Sequence, residues 1–571
     1  MTGGLLNIVS YGNQNVILNS NPKKSFFKTT YAKYTNFGLQ KFRIDFNGQR
    51  NLRMSEESRF TFTVPRYAEL LMDTYLVVTL PTIWSPIYPP ISCDDVWRPY
   101  EFRWIENLGT QMIKEVVFSV GGQILQRMTG KYLLAQVQRD LNGTKRFLYD
   151  TMTGNTAELN DPANFSGRKN TYPNVYHNTS QQGPEPSIRG RKLYIPLNAW
   201  FCNNSRMAFP LVALQYNELQ IDVVMRPVRD LFVTRDINYS PQTSSPITPD
   251  EVAQAPFIQP NFNEQQYQFY RFLQPPPDVD ISLADVYSDK RTDWNADVHL
   301  LSTYCFLSAE ESRVFASQEQ KYLLKSSYEW DFKNITGNHR VELQNTMGMV
   351  ATWMFLFQRS DINLRNQWSN YTNWSYNTVI PDDVMSAINA ASNYPNPCPP
   401  PKPANIGPGV EPDGTTPTKL FITKDYNVEN QREILQQLGI LLNGSYRENM
   451  LESGVYNYVE KYIRTTGSAP FGLYIYNFGL DADNDTYQPS GAINMSKFST
   501  IELEFSTYPP PLDPSANFYT ICDPDSDPSV AIGVNKPQWR IYKYNYDLTV
   551  LEERYNVLTF IGGNCALMYA R

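Results

Sequence analysis

The sequence is poor in the side chains that do chemistry. Its 571 residues hold only three histidines, His177, His299 and His339. The first falls in a polar, loop-like stretch and the others on or beside strands, with no triad partner or metal-ligand spacing. Satisfied or solvent-facing imidazoles are the expectation. No phosphate loop, HExxH or GxSxG occurs. The six cysteines (93, 202, 305, 398, 522 and 565) are scattered and form no CxxC. That spacing excludes a disulfide scaffold and points to reduced thiols. No apolar run reaches the ~18 residues of a membrane span, and the N-terminus lacks a basic-then-apolar leader, so neither span nor secretion signal is expected. Lys and Arg gather only at Lys23-Lys24 and Arg189 to Lys192, in a chain of net charge −7. This argues against direct nucleic-acid binding as the main activity, since phosphate contacts need basic clusters. DADND (Asp481, Asp483, Asp485) and DPDSD (Asp523, Asp525, Asp527) open like calcium loops but lack the glycine at position six and the glutamate at twelve. The sequence thus offers no catalytic residue, no metal site and no cofactor site. Sequons at Asn142, Asn164, Asn178, Asn334 and Asn443 are what chance gives an Asn-rich chain.

What is abundant is aromatic, with 38 Tyr and 30 Phe, a composition suited to strands and interfaces. The 41 Pro and 29 Gly are spread along the chain and leave little room for long helices. These counts point to an all-β chain with a few short helices.

The order of its elements occurs twice. VVFSVGGQIL (Val116 to Leu125) is a strand with a Gly121-Gly122 turn. A helix follows over Lys131 to Leu141, with Leu133, Leu134, Val137 and Leu141 on one face. Next come LYI (Leu193 to Ile195), the polar turn Asn203-Asn204-Ser205, and the alternating strand around Leu219, Ile221 and Val223. The second copy has GILLNGSYR with its Asn443-Gly444 turn, and a helix with Val455, Val459, Tyr462 and Ile463 on one face. LYI then recurs at Leu473 to Ile475, ahead of an alternating strand ending at Phe505. The period is too long for a solenoid, so a duplicated domain is expected.

The boundaries come from composition. Residues 1–25 form an arm without a core of its own, and 26–307 the first unit. Asn-, Gly-, Pro- and Ser-rich stretches at about 142–190 and 239–293 read as loop insertions. A linker helix over 308–320 starts at Ser308, which has capping-box spacing to Glu311. Residues 321–571 form the second unit, with a Pro-rich insertion at about 361–424 fit to project from the surface.

GGLLNIVSYGNQNVILNSNPKKSFFKTTYAKYTNFG, IPLNAWFCNNSRMAFPLVALQYNELQIDV, LSAEESRVFA, LNGSYR, QPSGAINMSKFSTIEL and YNVLTFIGGNCALMYAR stand in this order along nearly the whole chain. In them the chain resembles the major capsid proteins of large eukaryotic DNA viruses, of the phycodnavirus and mimivirus kind. The resemblance implies two tandem eight-stranded jelly rolls, a double jelly roll. It also implies a homotrimer of pseudo-hexagonal outline that tiles an icosahedral shell, with loop towers outside and the arm inside. The partners implied are neighbouring capsomers, minor capsid and penton proteins, and an internal membrane reached through minor proteins. Assembly in the host cytoplasm is implied as well. Phe26, Phe27, Tyr31, Tyr34 and Phe37 are the residues expected to tie the arm to the base of the first roll. The three insertions are where the sequence departs from the family. Two other classes compete: a sugar-binding β-sandwich, to which aromatic platforms would belong, and a glycoside hydrolase with two converging carboxylates about 5–9.5 Å apart. Neither accounts for the arm, the duplication and the ordered matches together.

Overall fold

The computed structural model describes residues 3–88, 98–173, 186–236, 256–276, 287–344, 346–377, 379, 408–410, 417–419, 431–482, 488–511, 519–522, 531–535 and 541–569. His177, Asn178, Asp483, Asp485, the DPDSD turn and most of the 361–424 insertion lie outside them.

Among the described residues, sixteen strands carry the fold. The first eight are β1 (Phe37–Asp45), β2 (Ser58–Thr63), β3 (Leu70–Thr79), β4 (Ile113–Val120), β5 (Gln123–Thr129), β6 (Lys192–Pro196), β7 (Leu219–Met225) and β8 (His299–Leu307). The second eight are β9 (Gln320–Phe332), β10 (Asn338–Glu342), β11 (Met349–Arg359), β12 (Leu435–Leu442), β13 (Ser445–Glu452), β14 (Leu473–Asn477), β15 (Ile501–Thr507) and β16 (Tyr546–Ile561). The first set forms sheets ordered β1-β8-β3-β6 and β2-β7-β4-β5, and the second forms β9-β16-β11-β14 and β10-β15-β12-β13. The two orders are the same once eight is added to each label. Each unit is an antiparallel two-sheet sandwich in jelly-roll order.

Alternation places the cores. Along β2 and β7 every second side chain is buried, and the same holds along β15. Phe60, Phe62, Phe118, Ile221 and Val223 fill the first roll; Trp353, Phe355, Phe357, Leu503, Phe505 and Val550 fill the second. Ring pairs lock both, among them Phe46 edge-on to Phe60 at 5.4 Å and Phe357 edge-on to Phe505 at 5.4 Å. The β12–β13 hairpin turns on Asn443 (φ 51°) and Gly444 (φ 77°), the two positive φ values a tight hairpin needs.

The structure corrects the sequence reading in three places. The first insertion is not all loop. Gly143–Thr153 is a helix (α2), whose N-cap Asn142 accepts from the Lys145 N–H at 3.1 Å, and it packs on β6. The Pro- and Ser-rich flanks hide this proline-free stretch. Next, the LYI echo is out of phase by one residue. The short strands at Phe209–Pro210 and Ile493–Asn494 pair Leu71 and Val350 in their respective rolls, which makes these two positions equivalent. Counting on, Val77 pairs Tyr194 where Leu356 pairs Leu473. Hence Tyr194 is partly exposed between buried Leu193 and Ile195, whereas Tyr474 turns into the second core against Phe357 at 5.8 Å. A one-residue slip exchanges the faces of a strand. Finally, the second helix buries Tyr456 and Asn457, not the Val459, Tyr462 and Ile463 face. Its first turn, Val455–Val459, is π-helical, and the extra residue rotates the turn after it.

Candidate assembly surfaces

The helix after β5, α1 (Gly130–Asp140), lies between the rolls, packed on β4 and β5 of the first and reaching the second through Tyr132 and Arg139. Thr129 caps it, accepting from the Tyr132 N–H at 3.2 Å. Gly130 is required there, because a Cβ would sit 2.0 Å from the Ile113 carbonyl oxygen. The helix is buried almost all round: Leu133, Leu134 and Val137 face apolar neighbours while Gln138, Arg139 and Asp140 are sealed as well.

Arg139, fully buried, joins the rolls. Its Nε and Nη2 donate to the two Asp140 oxygens at 2.6 and 2.9 Å, and its Nη1 donates to Glu553 Oε2 at 2.8 Å. The Tyr132 hydroxyl donates to the other Glu553 oxygen at 2.8 Å. Burial opposes the Arg139 charge, but the Asp140 and Glu553 carboxylates outweigh it and hold the guanidinium well above its ordinary value. Burial would likewise raise Glu553, yet Arg139 and then Lys325 hold its carboxyl below the usual range. Both partners stay ionised in the dry interior.

Around this pair the seam is closely hydrogen-bonded. The Gly467 N–H donates to the Arg139 carbonyl at 2.7 Å, and Thr466 Oγ1 donates to the Asp140 carbonyl at 2.7 Å. Thr129 Oγ1 donates to Glu329 at 2.7 Å, Ser327 Oγ to the Arg127 carbonyl at 2.8 Å, and Gln126 Nε2 to the Lys325 carbonyl at 3.2 Å. At the loop end, Trp368 Nε1 donates to the Asp230 carbonyl at 2.9 Å, and Asn366 Nδ2 to the Arg229 and Phe232 carbonyls, each at 2.8 Å. Donors and acceptors cross in both directions, so the rolls form one body.

The arm is different. Phe26, Phe27, Tyr31 and Tyr34 are 84–99% exposed in this single chain, and Phe37, at the start of β1, is half exposed. Upstream, Gly3–Val9 is a short helix whose Leu5, Leu6, Ile8 and Val9 are all exposed. Phe26, Phe27, Tyr31 and Tyr34 precede β1, Phe37 opens it opposite Leu307, and none of the five belongs to the first roll's core cluster.

Two family models match the chain, "Major capsid protein N-terminus" over residues 25–260 and "Large eukaryotic DNA virus major capsid protein" over residues 311–566. The chain belongs to this family. The major capsid protein of Phaeocystis pouchetii virus is 34% identical over 234 residues, 40% of this chain and 42% of that protein. The aligned part is thus about two-fifths of that relative. The major capsid protein of Paramecium bursaria Chlorella virus 1 is 23% identical over 574 residues, 100% of both chains. Among solved structures, a quasi-atomic model of the PBCV-1 virus capsid superposes with a TM-score of 0.56 at 18% identity, covering 96% of this chain and 100% of that one. The Faustovirus major capsid protein gives 0.56 at 12% identity, over 94% and 93%. At these identities the structures speak for the fold, which is the double jelly roll.

Among the described residues no group of three or more His, Cys, Asp or Glu is placed to hold a metal ion. His299 is satisfied, its Nδ1 2.7 Å from the Asp297 carbonyl, and His339 stacks beside Phe505 at 6.3 Å. The adjacent carboxylates Glu552 and Glu553 point to opposite faces of β16. Glu552 accepts from Trp353 Nε1 at 2.6 Å in the second core, and Glu553 takes Arg139. Sequence reading passed over Arg139, Glu553 and Gly467. The run Glu552-Glu553-Arg554 shows in the sequence that β16 carries charge, but not which distant residue meets it.

Proposed function

We propose that this chain builds the shell of an icosahedral virion by forming homotrimers of pseudo-hexagonal outline. The observation that carries the reading is the repeated strand order, two jelly rolls fused side by side by a hydrogen-bonded, ion-paired seam. Three such chains present six similar units, and six similar edges tile a plane. The trimer then meets neighbouring capsomers, minor capsid and penton proteins, and through minor proteins an internal membrane. It assembles in the host cytoplasm and makes no direct contact with nucleic acid. Its work is burial of surface rather than catalysis.

In this reading the arm acts between molecules. Phe26, Phe27, Tyr31 and Tyr34 hold apolar area open in the single chain, and covering each ring is worth about 1.5–3 kcal/mol. A neighbour is the natural cover. Light scattering with negative-stain images tests the first half: a stable trimer of hexagonal outline is expected, and a monomer would count against it. Changing the four aromatics to Ser tests the second. The trimer should persist while sheets or shells fail to form; unchanged lattice formation would remove the arm's role.

A further inference from the structure

Resting on the trimeric reading, we propose that trimers close through one specific contact. The second-roll helix of one copy seats on the outer sheet face of the first roll of the next copy.

The template lies inside the chain. Helix α1 follows edge strand β5 and covers the outer face of the β9-β16-β11-β14 sheet. There Leu551, Met354 and Ile475 pair in one row and Leu356 and Leu473 in the next, all buried and all within the first roll's core cluster. Arg139 Nη1 lies 3.9 Å from Met354 Sδ.

Both halves of this contact exist a second time, and among the described residues no second roll lies against them. The turn Val455–Val459 and the helix α4 (Glu460–Arg464) follow edge strand β13 as α1 follows β5. They open a stripe of Tyr458, Val459, Tyr462 and Ile463, each 48–90% exposed, at the spacing of one helical face. On the first roll, the positions that correspond to Leu551, Met354, Ile475 and Leu473 are Leu301, Tyr75, Pro196 and Tyr194. Leu301, Tyr75 and Pro196 are only partly covered and Tyr194 is 39% exposed. Along β1 the same face runs through Arg43, which pairs Leu301, then Lys41, whose Nζ lies 5.7 Å from the centre of the Tyr75 ring, to Leu39, which pairs Cys305 and is 54% exposed. One chain therefore offers a free apolar helix and a free sheet face of the two kinds that meet within it. Exposed apolar patches of this sort mark contact surfaces. The two are different surfaces, so the contact is head-to-tail, the type that closes into a ring when the rotation permits.

Because the contact is head-to-tail, two variants separate it from any other interface. Tyr462→Glu with Ile463→Glu spoils the helix; Leu39→Glu with Tyr194→Glu spoils the sheet. All four side chains are exposed, so the cores are untouched, which circular dichroism verifies; Tyr462→Ser serves as a milder helix variant. By light scattering each doubly substituted chain should show a threefold fall in mass from the trimer. Mixed together they should form a one-to-one dimer, since one brings an intact helix and the other an intact sheet. A trimer from either variant, or a mixture that stays monomeric, would overturn the pairing. A native chain that is itself monomeric would instead sink the trimeric reading.

Discussion

At the scale of single residues the seam rests on charges that cannot be removed one at a time. Arg139→Met leaves Glu553 ionised and buried, and breaking such a pair costs about 3–5 kcal/mol. Urea unfolding should register that loss, and adding Glu553→Gln should recover part of it, because the second change removes the stranded charge. Gly467 is as constrained. A Cβ there would lie 2.5 Å from the Arg139 carbonyl oxygen and 2.6 Å from its carbon, both backbone atoms of the opposite roll. Gly467→Ala should cost about 1–3 kcal/mol by overpacking, read as a lower unfolding midpoint. None of these three roles was legible locally, since each depends on a partner more than 300 positions away in the chain.

At the scale of elements, local chemistry was legible where an element is decided by its own residues. Ser308 caps the helix Ala309–Ser317 (α3), accepting from the Glu311 N–H at 3.4 Å, as its spacing to Glu311 implies. Ser308→Ala should lower stability by about 1 kcal/mol, measured by thermal unfolding. The glycine turns and alternating strands were read correctly for the same reason: φ preference and a two-residue period need no distant partner. The second helix was not. Its π-helical first turn inserts a residue, and about 100° of rotation turned the expected buried face outward. The LYI strands failed similarly, because three letters cannot say which neighbour sets their phase.

At the scale of the whole molecule the tyrosines set the pH range. Burial pushes Tyr149 and Tyr322 up to about 12, and raises Tyr132, Tyr304, Tyr371, Tyr456 and Tyr546 as well. Above about pH 10 the unfolded chain loses these protons while the folded chain keeps them. The native state then binds more protons, so stability falls as pH rises. The contribution is whole below about pH 10 and is lost towards the folded values. Lys461 works with the opposite sign. Burial lowers it from 10.5 to about 7, so between those values the unfolded chain holds the extra proton and stability rises with pH. Urea midpoints should therefore climb modestly from pH 7 to 9 and drop steeply beyond 10. Lys461→Gln should flatten the climb and leave the drop.

The sequence by itself determined the class of the molecule. Alternation, aromatic wealth, the twice-repeated order of elements and the want of reactive side chains point to a duplicated β fold that works by contact, and these are properties of short windows and of composition. Only the tertiary structure decided which surfaces are covered and which are open. Helices α1 and α4 hold corresponding places in the two rolls, yet one is sealed against a neighbouring roll and the other faces solvent. That difference lies in what stands beside each helix in space, and no stretch of sequence around either one contains it.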